Sequence, residues 1–193
     1  MKSICVFCGS SAGKDPAYRE SALSLADIIV RQDLHLVYGG GSIGLMGILA
    51  DRVLSQGGKV TGVIPKFLYD LEVGHGGVTE LIIVRSMHER KEKMAELADA
   101  FLALPGGYGT LEEMAEIMTW IQLRLIQKPI GMLNIKGYFN HFLDQLDHMV
   151  EESFLNINNR RIIHASSSPG EIITMLQNSW PEIKSKFMDK EKT

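Results

Sequence analysis

Three times in its first 110 residues the chain runs an apolar stretch into a cluster of glycines and out into an amphipathic stretch. Residues 4–8 lead into Gly9, Ser10, Ser11, Ala12 and Gly13; residues 34–38 into Gly39, Gly40 and Gly41; residues 100–104 into Pro105, Gly106, Gly107, Tyr108 and Gly109. A short apolar run bounded by glycine reads as a strand buried on both faces, and a run with apolar residues three and four apart reads as a helix. Strands that alternate with helices are parallel, because each helix carries the chain back along the sheet. The sequence therefore predicts an α/β fold: a doubly wound, mostly parallel sheet with helices on both faces, Rossmann-like and in one domain. A length of 193 residues suits a single core. Residues 1–180 are expected to form that domain and 181–193 a charged tail that frays.

Strands are expected at residues 4–8, 34–38, 59–64, 81–84, 100–104, 129–133 and 161–164. Helices are expected at 16–31, 43–55, 86–98, 110–126, 138–151 and 169–178. Residues 65–78 read as one long irregular stretch, holding Glu72, His75 and three glycines. Loops of that length in a compact domain are often functional.

Charge and hydropathy narrow the function. A net charge of -3 and a pI of about 6.1 argue against a broad electrostatic grip on nucleic acid or an anionic membrane. Mean hydropathy is +0.03, and charges or glycines interrupt every apolar stretch, so no membrane-spanning helix is expected. The first nine residues hold too short an apolar run for a secretion signal, and there are two cysteines, so a reducing cytoplasm is the expected compartment. Cys5 and Cys8 form a C-x-x-C, but inside a strand they point to opposite faces, about 10 Å apart, and read as core or site-wall residues. His141, Asp144, His148 and Glu151 share a helical spacing but read as surface positions, and no metal is expected.

The chemistry gathers at the glycine loops. Residues 104–113 (LPGGYGTLEE) follow a strand and open a helix. Glycines let backbone N–H groups approach a ligand, and a helix N-terminus favours an anion such as phosphate. Alternatively, Thr110 caps the helix and Glu113 closes a capping box. Residues 39–47 (GGGSIGLMG) contain G-x-G-x-x-G, yet no acidic residue ends the next strand to hold a ribose, so a nucleotide or phosphosugar contact suits the loop better than NAD, and close helix–strand packing is the equal alternative. All three loops leave the carboxyl edge of the sheet, where α/β folds place their ligands. Ser86 and Glu89 make a further capping box. Arg90 and Lys91 in that helix's first turn read either as a solvated face or as a grip on phosphate or purine.

Together, residues 8–11 (CGSS), 39–47, 87–91 (MHERK) and 105–113 (PGGYGTLEE) resemble the Lonely Guy (LOG) family of cytokinin riboside 5′-monophosphate phosphoribohydrolases, many long labelled lysine decarboxylases. The resemblance implies hydrolysis of the N-glycosidic bond of an N6-modified AMP, or of AMP, to a free adenine base and ribose 5-phosphate. It implies Arg90 and Glu113 as the catalytic pair. Gly107, Tyr108, Gly109 and Thr110 would hold the phosphate, with Lys91, Leu111 and Glu112 beside them and Gly9, Ser10, Gly40 and Gly41 on the facing loops. Glu72 and Thr119 are further implied substrate contacts. A homodimer is implied too, and residues 110–126 carry apolar side chains around most of the helix, more than one sheet face buries; a subunit interface or a helix buried deep within a monomer would account for them. Neither a cofactor nor a metal is implied. Two other readings compete. One is a carrier of the same fold that binds a nucleotide or pterin cofactor without turning it over. The other is a lysine decarboxylase, which needs a lysine in a pyridoxal phosphate setting.

Overall fold

In a computed structural model, which describes residues 1–188 except the side chains of residues 72, 73 and 180–188, the alternation becomes one seven-stranded sheet. Its strands are β1 (Ser3–Phe7), β2 (His35–Tyr38), β3 (Val60–Pro65), β4 (Glu80–Val84), β5 (Phe101–Ala103), β6 (Ile130–Leu133) and β7 (Ile163–Ser166). Every pairing is parallel and the spatial order is β4-β3-β2-β1-β5-β6-β7. The chain winds outward from β1 to β4, returns beside β1 as β5, and winds outward the other way. Strand order thus reverses between β1 and β5, and the crevice outside their carboxyl ends is where such sheets bind ligands.

Six longer helices cover the faces: α1 (Pro16–Arg31), α2 (Gly44–Ser55), α4 (Met87–Leu97), α5 (Tyr108–Gln122), α6 (Asn140–Glu151) and α8 (Pro169–Met188). The short turns α3 (Lys66–Leu68) and α7 (Ile157–Arg160) complete the set. Alternation along β1 divides the core. Ile4, Val6 and Cys8 pack with Leu25, Ile29, Leu49 and Ile172 of α1, α2 and α8. Cys5 and Phe7 pack on the other face with Met94, Met114, Ile117 and Leu146 of α4, α5 and α6. The two thiols are free and on opposite faces, as expected from the strand period. Among the described residues no helix is long and apolar enough to cross a membrane.

Several boundaries differ from expectation. α5 begins at Tyr108, with Gly107 at the cap and no side chain bonded to it, so the capping role considered for Thr110 is not what the structure shows. It ends at Gln122 rather than residue 126: Arg124 turns to φ 63°, and the N–H of Leu125 reaches back to the Trp120 carbonyl at 2.9 Å. No glycine marks that stop in the sequence. Residues 65–78 are not irregular throughout. α3 passes into a π-turn (Tyr69–Val73), and an antiparallel bridge Gly41↔Gly74 with a 2.8 Å bond from His75 N–H to the Gly40 carbonyl straps the segment to the second glycine loop. β7 lies two residues later than expected, and α6 starts at Asn140 after a 3₁₀ turn (Ile135–Gly137). α8 runs to Met188, through residues expected to fray; the rest of the expected tail lies outside the described residues.

Candidate active site

The loops after β1 and β5 meet at the reversal of strand order. Gly9 N–H donates to the Pro105 carbonyl at 3.1 Å and Leu104 N–H to the Phe7 carbonyl at 2.9 Å. Gly106 is needed at this contact: a Cβ there would lie 2.1 Å from Thr110 Oγ1. Gly107 and Gly109 differ, because a Cβ on either would meet no protein atom within 4 Å. Their lack of side chains leaves open space before the α5 N-terminus. Cap Gly107 and first-turn Tyr108, Gly109 and Thr110 carry the N–H groups that have no partner within a helix, and the helix dipole adds partial positive charge. Loop and helix end together form an anion cradle.

The cradle is one wall of a cavity of about 240 Å³. Val6 and Phe7 line it from β1, Cys8, Gly9 and Ser10 from the loop after it, Gly39 and Met46 from the second loop and α2, Arg90 from α4, and Gly107, Tyr108, Gly109, Thr110 and Glu113 from the cap and first turns of α5. Tyr108 stands at its mouth, 94% exposed.

Arg90 enters sideways from the first turn of α4, which Ser86 caps by accepting from Glu89 N–H at 3.2 Å. Glu89 does not close the box onto Ser86; its carboxylate accepts from Arg85 N–H at 2.8 Å. The Arg90 side chain is anchored by two backbone carbonyls, Nε on Val63 at 3.1 Å and Nη2 on Gly39 at 3.3 Å. A Cβ on Gly39 would sit 1.9 Å from that guanidinium, so residue 39 has to be glycine for Arg90 to reach the cavity. Arg90 and Glu113 are only 8% and 7% exposed, and Nη2 lies 3.4 Å from Glu113 Oε1. That is an ion pair at long range. Burial pushes the Glu113 carboxyl up to about 7, with Arg90 and Lys91 opposing and Glu112 and Glu116 reinforcing the rise. Burial, reinforced by Glu113, also raises the Cys8 thiol well above its ordinary range and keeps it neutral.

Lys91, one residue on, does not line this cavity. It is 6% exposed and its ammonium lies between Glu112 and Glu116 of α5, the latter at 2.9 Å. Burial alone would lower it, yet the bonds to the two carboxylates hold it above its usual range. Leu111 and Glu112 likewise sit outside the cavity. Gly40 and Gly41 hold the strap of residues 74–75. Thr119 is exposed and its hydroxyl donates to the Ala115 carbonyl of its own helix at 2.7 Å. The Glu72 side chain lies outside the described residues. Of the implied site residues, the structure therefore gathers Gly9, Ser10, Arg90, Gly107, Tyr108, Gly109, Thr110 and Glu113. It adds Gly39 and Met46, which the sequence shows only as members of the second glycine motif.

Comparison with known proteins shows what the chain is similar to. The family described as "Possible lysine decarboxylase" matches residues 46–176. The cytokinin riboside 5′-monophosphate phosphoribohydrolase LOG7 of Arabidopsis thaliana is 48% identical over 182 residues, 94% of this chain and 84% of the relative. The probable cytokinin riboside 5′-monophosphate phosphoribohydrolase LOGL2 of Oryza sativa subsp. japonica is 46% identical over 182 residues, 94% and 75% of the two chains. Among solved structures, a molybdenum cofactor carrier protein from Chlamydomonas reinhardtii superposes with a TM-score of 0.67 at 20% identity, over 92% of this chain and 96% of its own. At that identity the likeness shows the fold alone.

Proposed function

The chain belongs to the LOG family of cytokinin riboside 5′-monophosphate phosphoribohydrolases, and on that premise we infer how its own residues perform the reaction. It is a hydrolase that cleaves the N-glycosidic bond of a nucleoside 5′-monophosphate, releasing the base and ribose 5-phosphate. The observation that carries the mechanistic reading is the buried Arg90–Glu113 pair facing an uncapped helix N-terminus across one cavity.

The cradle of Gly107, Tyr108, Gly109 and Thr110, with Gly9 and Ser10 beside it, holds the 5′-phosphate and so places the ribose. As the bond from C1′ to the base nitrogen breaks, its electron pair leaves with the purine and the sugar gains oxocarbenium character. The ionised Glu113 stabilises that charge and accepts a proton from the water that adds at C1′; solvent protonates the departing purine nitrogen and takes the proton back from Glu113, so neutral base and ribose 5-phosphate leave an ionised carboxylate behind. A carboxyl pushed up to about 7 is matched to this exchange near neutral pH. Arg90, fixed by the Val63 and Gly39 carbonyls, orients Glu113 and supplies positive charge to the pocket. Lys91, Leu111, Glu112, Gly40 and Gly41 support the site from outside the cavity.

The decarboxylase label carried by the family description fits this chain poorly. Among the described residues no lysine lines the cavity; Lys91 is held by two carboxylates, and Lys128 donates to the Ala95 carbonyl at 2.6 Å. In the cytoplasm the active form is a homodimer on this reading. Its support is the apolar groove between α4 and α5, where Leu125 is 67% exposed beside Trp120 and Ile126, a surface that a second copy would cover.

The test is a product assay with N6-isopentenyl-AMP, AMP and isopentenyladenosine. Base released from the monophosphates but not from the nucleoside is the expected result, and the ratio between the monophosphates identifies the preferred base. Binding of the nucleotides without release of base would replace the hydrolase with a carrier.

A further inference from the structure

We propose that Tyr138, on the loop after β6, is a positioning residue that sets the anion cradle by holding the Gly106 carbonyl. The proposal rests on the cradle being the phosphate site. Tyr138 does not line the cavity of Arg90 and Glu113. It lines an adjoining one of about 310 Å³ behind the glycine loops, with Tyr18, Ser11 and Gly106. From there its hydroxyl donates to the Gly106 carbonyl at 2.6 Å.

The effect follows from peptide geometry. In a planar trans peptide the carbonyl and the next N–H point in opposite directions. Pinning the Gly106 carbonyl toward Tyr138 aims the Gly107 N–H the other way, away from Tyr138. Gly107 is the cap of α5, so this N–H is the first of the donors that no intrahelical bond satisfies. With glycine on both sides of that peptide, the local chain has little stiffness of its own. An external hold is what fixes the donor's direction.

The loop that carries Tyr138 is built rigidly. Lys136 (φ 53°) and Gly137 (φ 73°) are consecutive left-handed residues, a strained choice for lysine. Three contacts oppose that strain. Lys136 Nζ lies 2.5 Å from Asp15 Oδ2, and Asp15 caps α1. Asn134 Oδ1 accepts from Phe139 N–H at 2.7 Å while its Nδ2 donates to Asn140 Oδ1 at 2.8 Å. The Tyr138 ring is wedged edge-on against Tyr18 at 5.8 Å and Phe139 at 5.1 Å. A phenylalanine would keep that ring packing, so the hydroxyl on Gly106 is the separable element.

The experiment measures AMP and adenosine binding by calorimetry in Glu113→Gln protein, which prevents turnover, with and without Tyr138→Phe. Losing one net hydrogen bond's worth of donor alignment weakens AMP by about fivefold and leaves adenosine unchanged. In protein with Glu113 intact, KM for AMP rises while kcat holds. Unchanged AMP affinity in Tyr138→Phe overturns the proposal, and so does an equal loss for AMP and adenosine, which would be general loosening. If AMP binds no tighter than adenosine before Tyr138 is touched, the cradle itself is wrong and the strut falls with it.

Discussion

Arg90 and Lys91 are neighbours in sequence, both buried, and both face acidic residues of α5, yet their pairs are built to opposite ends. Lys91 sits between Glu112 and Glu116, in contact with both, and its charge is reinforced. Arg90 is anchored on backbone carbonyls and stands 3.4 Å from Glu113, whose carboxyl burial pushes up to about 7. Helix geometry separates them: successive residues lie about 100° apart, so α4 presents one cation to the cavity and the next to the α4–α5 seam. Glu112 and Glu116, four apart, share the face that meets Lys91, while Glu113 is turned toward the cavity. A saturated pair ties two helices together. A pair left short, with a carboxyl free to gain or lose a proton, is the one placed to do chemistry.

The largest expected effect separates the two pairs directly. Glu113→Gln keeps the shape of the side chain and removes the base, and kcat should fall by about 10³-fold or more. Turnover within tenfold of the parent would mean that Glu113 is not the proton acceptor. Next in size is Arg90→Gln, which should cost roughly 10²-fold in kcat/KM by removing fixed positive charge from a desolvated pocket. It also makes a pH prediction. The active form needs Glu113 ionised, so kcat/KM should rise with pH through an apparent pKa near 7. Because Arg90 lowers that pKa, its removal should move the rising limb to higher pH. A limb that stays in place would show that the 3.4 Å contact does not govern Glu113.

Stability sharpens the contrast further. In the unfolded chain a glutamate titrates near its ordinary value of about 4.3. Between there and about 7 the folded protein holds a proton on Glu113 that the unfolded chain has lost, so stability falls as pH rises across that window. Above 7 the full cost is present, at most roughly 4 kcal/mol. Glu113→Gln should therefore be more stable than its parent at pH 8 by up to about 4 kcal/mol and equal to it near pH 4. Thermal melts at the two pH values check this, and a variant less stable at pH 8 would show that the ion pair outweighs burial.

Much of this was legible in the sequence. The strand–glycine–helix repeat gives the parallel sheet and places its ligand edge, because strand period and glycine loops are local signals. Residues 105–113 and 87–91 likewise mark the two elements that face each other. Side-chain direction was less legible. Arg90 and Lys91 read alike as first-turn cations, and only the packing of α4 on α5 separates them. Thr110 reads as a cap, because Ser and Thr before an apolar run usually are caps; the cap is instead Gly107, three residues earlier. Gly39 gives no sign of its task, since the clash it avoids is with a guanidinium 51 residues away. The role of Tyr138 depends on two loops that meet only after the sheet has formed.

Lys91→Ala is the smallest predicted effect and the one that most directly tests the seam. It removes the ammonium that Glu112 and Glu116 share and leaves two carboxylates four residues apart on α5. Lys91 is buried, but the Glu112 side chain is 54% exposed, so water screens part of the loss. The cost should fall between the surface and buried limits, at about 1–2 kcal/mol. It should appear in urea as a lower midpoint at unchanged slope. Lys91 also pulls weakly downward on Glu113, so its loss nudges the pH limb upward, less than Arg90→Gln does. With the cavity untouched, kcat/KM at pH 8 should stay within about threefold of the parent, since an indirect charge effect of this size is a fraction of a pKa unit. A collapse of turnover comparable to that of Glu113→Gln would place Lys91 in the chemistry and erase the distinction between the two pairs.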